Sequence, residues 1–210
     1  MPTSSQTSPG QAQHQTTPNP LIPLQLASME AARVVWEMLG EEHLENFAVV
    51  GGAALLFYGS TIMTNDADLA ITGDSYTKFL NAVKEDRRFS EGFFGKWEYW
   101  SSYDFMVEID FINKNGDGDY LHELRGYSLI DGIPVARLVD LAIGKGTAWV
   151  QRKNQKDFTG LKYAVMMMAQ RGLDFKGLDE QAKELFDDIT MKLMDSPEGR
   201  QLLQIVRRLW

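Results

Sequence analysis

Two aspartates separated by one residue, at the head of an otherwise apolar run, constrain this chain more than any other feature. In Asp66-Ala67-Asp68-Leu69-Ala70-Ile71 the side chains of an extended strand alternate between faces. Asp66 and Asp68 therefore share one face, while Ala67, Leu69 and Ile71 share the other and can enter a core. Side-by-side carboxylates repel, and burial worsens the repulsion. Such a pair calls for a divalent cation or for ample solvent.

The residues before this strand fit the same design. Phe47 to Val50 form a short apolar strand ending in Gly51-Gly52, and a small helix follows. Glycine there lets a ligand approach the backbone with no Cβ in the way, and the helix start offers amides that suit phosphate. Downstream, Phe105 to Ile112 alternates again, with Val107, Ile109 and Phe111 on one face and Glu108 and Asp110 on the other. A further strand thus delivers acid groups from one face, and Asp110 becomes a third candidate carboxylate.

The other segments frame these strands. Residues 1–22, rich in Ser, Thr, Gln, Pro and Gly, lack the apolar content to offset the entropy of ordering and are expected to be a disordered tail. A helix is predicted from an N-cap at Ser28 to Gly40, and another over Tyr76 to Arg87, capped by Asp74 or Ser75. An aromatic-rich strand is expected around Gly95 to Trp100. Asp131-Gly132 between two β-prone runs is a hairpin signal. From Arg137 the apolar period becomes helical, with helices expected over about 137–151, 155–170 and 179–194, and a last one after Ser196 and Pro197. These periods predict an α+β fold in three parts: the tail, an α/β domain over 23–136, and a helical subdomain over 137–210.

Composition excludes several functions. There is no cysteine among the 210 residues, hence no disulfide, thiolate metal site or cysteine nucleophile. No apolar run approaches the length of a membrane span, and no secretory signal opens the chain, so a cytoplasmic protein is expected. A net charge of −8 opposes broad nucleic-acid binding. Against that background the segment from Gly144 to Lys162 is locally basic, and Lys145 interrupts an apolar helical stripe, which favours a pocket-facing lysine. Gly144-Lys145-Gly146-Thr147 is not a Walker motif, because the earlier glycine and the leading strand are missing. Asn113 to Glu123 mimics a calcium loop but lacks the closing glutamate at its twelfth place, so it reads as a polar turn. His14, His43 and His122 read as solvated or surface residues.

The ordered set Gly51-Gly52, Gly59-Ser60, Thr64, Asp66-x-Asp68 and Asp110 resembles the nucleotidyltransferase superfamily built like the DNA polymerase beta palm. The spacing is most similar to the branch of AbiEii-type toxin nucleotidyltransferases and their fungal relatives. Asp140-Leu141, Lys145, Ala148, Arg152 and Lys156-Asp157 look like the helical motif that follows the palm there. The resemblance implies a small mixed or antiparallel palm sheet flanked by helices, with a C-terminal helical bundle. It further implies Mg²⁺ or Mn²⁺ held by Asp66, Asp68 and Asp110, and a nucleoside triphosphate such as ATP as substrate. Gly51, Gly52, Ser60, Thr64 and Lys145 would lie against the triphosphate, and Asp157 belongs to the same motif. The implied reaction moves a nucleoside monophosphate to a hydroxyl acceptor: a small molecule, a protein or an RNA end. At two positions the chain departs from the family, with Ile62 in place of an arginine and Gly160 in place of an aspartate. A non-catalytic relative that binds a nucleotide or a protein shares the same features, and so, without them being a site, does an α+β protein with solvated acidic strand ends.

Overall fold

A computed structural model describes residues 20–112, 124 and 126–210. His14, the expected polar turn 113–123 and His122 lie outside those residues, as does most of the expected tail. The first element of the described residues is α1 (Pro23–Leu39). This helix opens six residues earlier than an N-cap at Ser28 would have it, with Ile22 as its N-cap, because Pro23 at its first position needs no hydrogen-bond acceptor for its nitrogen. The Ile22 N–H instead donates to Gln25 Oε1 at 2.8 Å, and Ser28 is buried in mid-helix, donating back to Leu24 O. A short 3-10 turn (Glu41–Asn46) leads into β1 (Phe47–Val49). Then come α2 (Gly51–Phe57), β2 (Asp66–Ile71) and α3 (Gly73–Val83). Thr72, not Asp74 or Ser75, caps α3: its hydroxyl accepts from the Ser75 N–H. His43, expected in solvent, is half-buried, with Nδ1 2.7 Å from Ser75 Oγ.

Strands β3 (Phe89–Glu91), β4 (Trp97–Trp100) and β5 (Met106–Ile112) form an antiparallel meander. The hairpin of β6 (Tyr127–Ile130) and β7 (Ile133–Ala136) turns at Asp131 and Gly132. Their φ angles of 51° and 78° are those of the tight turn that matches the twist of the flanking strands. All seven strands join one mixed sheet in the order β3-β4-β5-β2-β1-β7-β6, with β2–β5 and β1–β7 parallel. The chain ends in four helices: α4 (Leu138–Arg152), α5 (Gln155–Arg171), α6 (Glu180–Leu193) and α7 (Pro197–Leu209). As the sequence predicts, Ser196 caps the last one, accepting from the Gly199 N–H at 2.9 Å.

The sheet's two faces have different duties. On one, Leu69, Ile71, Val107 and Ile109 are buried with the ring cluster of Tyr76, Phe79 and Phe111, which contact at centroid distances of 4.7–6.1 Å. Aromatic groups this close add about 1 kcal/mol per pair beyond area burial. The other face carries the acidic residues of β2 and β5 beside the buried Ala48 and Ala70. The C-terminal helices are fastened beside it: Tyr58 Oη donates to Ala136 O, and Tyr163 Oη donates to Tyr58 O, both at 3.0 Å. Among the described residues, no helix is long and apolar enough to cross a membrane.

Candidate active site

Parallel pairing of β2 with β5 sets Asp68 opposite Asp110 and Asp66 opposite Glu108. Directly opposite residues project from the same face, so four carboxylates converge on one side of two strands. The alternation read from each strand is the cause. Ala67, Leu69, Val107 and Ile109 are fully buried, and that fixes the register, because a slip of one residue would drive the aspartates into the core.

A cleft of about 430 Å³ lies over this face. Its floor is Asp66, Asp68 and Asp110, one end is Gly51, Gly52 and Thr64, and α4 and α5 close the opposite wall with Lys145 and Asp157. Thr64 Oγ1 donates to Asp66 Oδ1 at 2.5 Å, which fixes that carboxylate. Gly51 has a φ of 62°, and a Cβ there would lie 1.8 Å from Asp68 Oδ2. Only glycine allows that approach. Burial raises the Asp68 carboxyl above its ordinary range, and the Asp66 charge adds to the effect; Lys145 opposes it, Asp110 adds slightly, and a hydrogen bond from the Gly52 amide opposes it.

Two lysines line the cleft with the carboxylates. Lys145, held within α4, places Nζ 3.5 Å from Asp157 Oδ1, and both side chains are largely buried. The other Asp157 oxygen, Oδ2, is buried without a hydrogen-bond partner, although a buried unpaired carboxylate oxygen is costly. Lys96, just before β4, donates to Glu108 Oε1 and lies 3.7 Å from Asp110 Oδ2. The Glu108 bond raises the pKa of Lys96 most.

Of the residues singled out in the sequence, Gly51, Gly52, Thr64, Asp66, Asp68, Asp110, Lys145 and Asp157 all line the cleft. Ser60 does not. It is fully buried, and its Oγ accepts from the Ile62 N–H at 3.1 Å, so it shapes the loop before β2. Ile62 is partly buried against the core, and its carbonyl accepts from the Gln25 side chain at 3.1 Å. The Gly160 position is taken up by a neighbour: a Cβ there would sit 3.1 Å from the Lys145 stem and 3.3 Å from Leu55. Sequence reasoning missed Lys96 and Asn154 as lining residues, and it named Asp140 and Lys156 only as parts of the helical motif. The antiparallel register of β4 on β5, which pairs Trp97 with Ile109 and Glu98 with Glu108, is the signal that could have found Lys96.

The donor set fits a hard cation that keeps water and phosphate oxygens in its shell. Carboxylates suit magnesium or manganese, and Asp68 is held in a repulsive environment that a cation relieves. Among the described residues no three acidic or histidine side chains are gathered tightly enough to form a ready-made cage.

The fold matches the crystal structure of an antigenic nucleotidyltransferase-like protein from Paracoccidioides brasiliensis, with a TM-score of 0.54 over 87% of this chain and 93% of that one. The two sequences are 16% identical, so the likeness is one of fold: this chain has a nucleotidyltransferase-like α+β fold. No family model and no curated protein matches the sequence.

Proposed function

We propose that this protein is a metal-dependent nucleotidyltransferase that moves a nucleoside monophosphate from a nucleoside triphosphate to a hydroxyl. The observation that carries this reading is the register of β2 on β5, which faces Asp66 and Asp68 with Asp110 under a wall bearing Lys145. Within the fold, the Lys145 and Lys156-Asp157 segment favours a place near the AbiEii-type branch.

Asp66, Asp68 and Asp110 would hold Mg²⁺ or Mn²⁺, which when bound supplies positive charge to the attacking and leaving oxygens of an in-line displacement. The chain's own contributions are positional. Thr64 holds Asp66 in one orientation, and the Gly52 amide holds Asp68. The bare backbone at Gly51 leaves room for a phosphate beside them. Lys145 presents its ammonium to the triphosphate while Asp157 keeps it in place. Asp110, at the opposite edge of the floor, faces the entering hydroxyl.

A second reading, a nucleotide- or protein-binding relative without turnover, is favoured by Lys96, which already pairs with Glu108 and Asp110. One experiment separates the readings. Millimolar ATP with Mn²⁺ should raise the melting temperature by several degrees, and pyrophosphate release should accompany it and vanish in Asp66→Ala. Stabilisation without release selects the binder. Release that survives Asp66→Ala refutes the mechanism.

A further inference from the structure

Helix α4 separates two cavities, and its side chains sort between them at helical spacing. Leu141 and Lys145 face only the acidic cleft. Ile143, Thr147 and Gln151 face only a second cavity of about 520 Å³, whose far wall is Ala182 and Leu185 of α6. Asp140, Gly144, Ala148 and Arg152, each four residues apart, line both. The middle of that ridge carries nothing larger than a methyl group, so the two spaces meet across a low saddle. Helices α4 and α6 pack directly on each other at Gly146, where a Cβ would lie 2.4 Å from Ile189 Cδ1.

Thr147, which lines this cavity, carries a hydroxyl whose hydrogen bonding is unmet. A threonine within a helix commonly turns its hydroxyl back to the carbonyl one turn earlier. Thr147 does not: its Oγ1 is buried and has no hydrogen-bond partner. An unmet buried hydroxyl costs about 1–3 kcal/mol, and nothing in the proposed mechanism uses it. Around it, Ile112, Ile143, Ala182 and Leu185 supply apolar walls, while Asp140 and Arg152 on the ridge carry opposite charges.

We infer that this second cavity seats the hydroxyl acceptor, a neutral small alcohol with an apolar or aromatic body. The inference rests on the nucleotidyltransferase reading. The cavity touches none of Gly51, Gly52, Asp66, Asp68 or Lys145, which line the proposed triphosphate site. It does include Ile112, two residues beyond Asp110 on the same strand face. An alcohol lying against Thr147 can reach over the saddle to the Asp110 edge. There its oxygen attacks the α-phosphorus of the triphosphate. The new oxygen–phosphorus bond forms as the bond to the bridging oxygen breaks, pyrophosphate leaves with the electron pair, and the hydroxyl proton passes to water. A volume near 520 Å³ lies within the range of small-molecule sites.

The test uses the full chain with isotope-labelled isoleucine and leucine methyl groups and 2-phenylethanol as the probe. Saturable shifts at Ile143 and Leu185 are expected in the wild type, lost in Ala182→Trp. Gln151→Trp, at the exposed rim, blocks the same space should the buried variant fail to fold. Thr147→Val should weaken the probe several-fold while melting higher than the wild type, opposite signs that a purely structural threonine would not give. All variants should bind Mn²⁺ with ATP, and Mn²⁺ with tripolyphosphate, as the wild type does. Shifts elsewhere, or none, overturn the inference. Weakened binding of ATP alone, with tripolyphosphate unaffected, also overturns it, because the cavity would then seat the nucleobase. If the wild type takes the probe but neither Mn²⁺ ligand, the cavity survives as an alcohol site, and the nucleotidyltransferase reading and the acceptor role fall together.

Discussion

Replacing Gly51 with alanine tests the geometry of the floor most directly, because it adds one methyl group and no charge. Two separate costs follow. The backbone stands at a φ of 62°, where a residue with a Cβ is disfavoured by about 1–2 kcal/mol. In a protein of this size that lowers the melting temperature by roughly 2–8 °C. The methyl carbon would also lie 1.8 Å from Asp68 Oδ2, 2.7 Å from its Cγ and 2.9 Å from its Cβ. An ordinary contact is about 3.4 Å, so the carboxylate oxygen must retreat by roughly 1.6 Å. Magnesium–oxygen bonds tolerate far less, and misplacement by about 1 Å costs on the order of 10²-fold in rate. Differential scanning fluorimetry with and without Mn²⁺ and ATP measures both effects on one sample. Gly51→Ala is expected to melt lower and to lose the ligand-dependent rise. A variant that melts within a degree of the wild type and keeps the full rise refutes the claim that Gly51 exists to admit Asp68.

Other consequences of the site are open to measurement. Burial and the Asp66 charge hold the Asp68 carboxyl above its ordinary 3.8. The folded protein thus keeps that proton longer than the unfolded chain does, and metal-free stability should fall as pH rises from 3.8 through the folded value. Asp68→Asn should flatten that slope in pH-dependent melting, and at neutral pH it should melt above the wild type while losing the response to Mn²⁺ and ATP. Lys145→Met strands Asp157 as a buried unpaired charge and should cost about 3 kcal/mol by urea denaturation, most of it recovered in the double variant with Asp157→Asn. Lys96→Met removes a cation that competes for Asp110 and should tighten Mn²⁺ binding about twofold to fivefold by calorimetry, a small effect because the pair is exposed.

Much of this arrangement is legible in the residues alone because the informative segments are strictly periodic. Alternation in β2 and β5 separates core from acid, and one buried face then dictates register without reference to the rest of the chain. The hairpin at Asp131-Gly132 is equally local, since its turn chemistry specifies its own backbone. What escaped reading depends on tertiary placement. Ser60 sits in a glycine-flanked loop that looks ready for phosphate, yet the Ile62 amide takes its hydroxyl and the fold covers it. Three-residue β3 is too short to show a period and exists because β4 offers it an edge. Lys96 becomes a site residue only through the pairing of β4 with β5, and the role of Gly160 as room for the Lys145 stem needs two helices packed together. The start of α1 was obscured by Ser28, whose cap-like chemistry is spent within the helix.

The parallel partnership of β2 and β5 carries a further consequence for how the molecule opens. Paired residues of the two strands stand 42 positions apart in the chain, as Asp68 and Asp110 do, and α3, β3 and β4 lie between them. No local fragment can therefore display the three aspartates together. Any ligand that bridges them clamps the middle of the sheet, opposing those openings that part β5 from β2 and leaving outer-edge fraying at β3 or β6 untouched. Amide hydrogen exchange should accordingly slow in β2 and β5 when Mn²⁺ and ATP are added, and stay unchanged at both margins of the sheet.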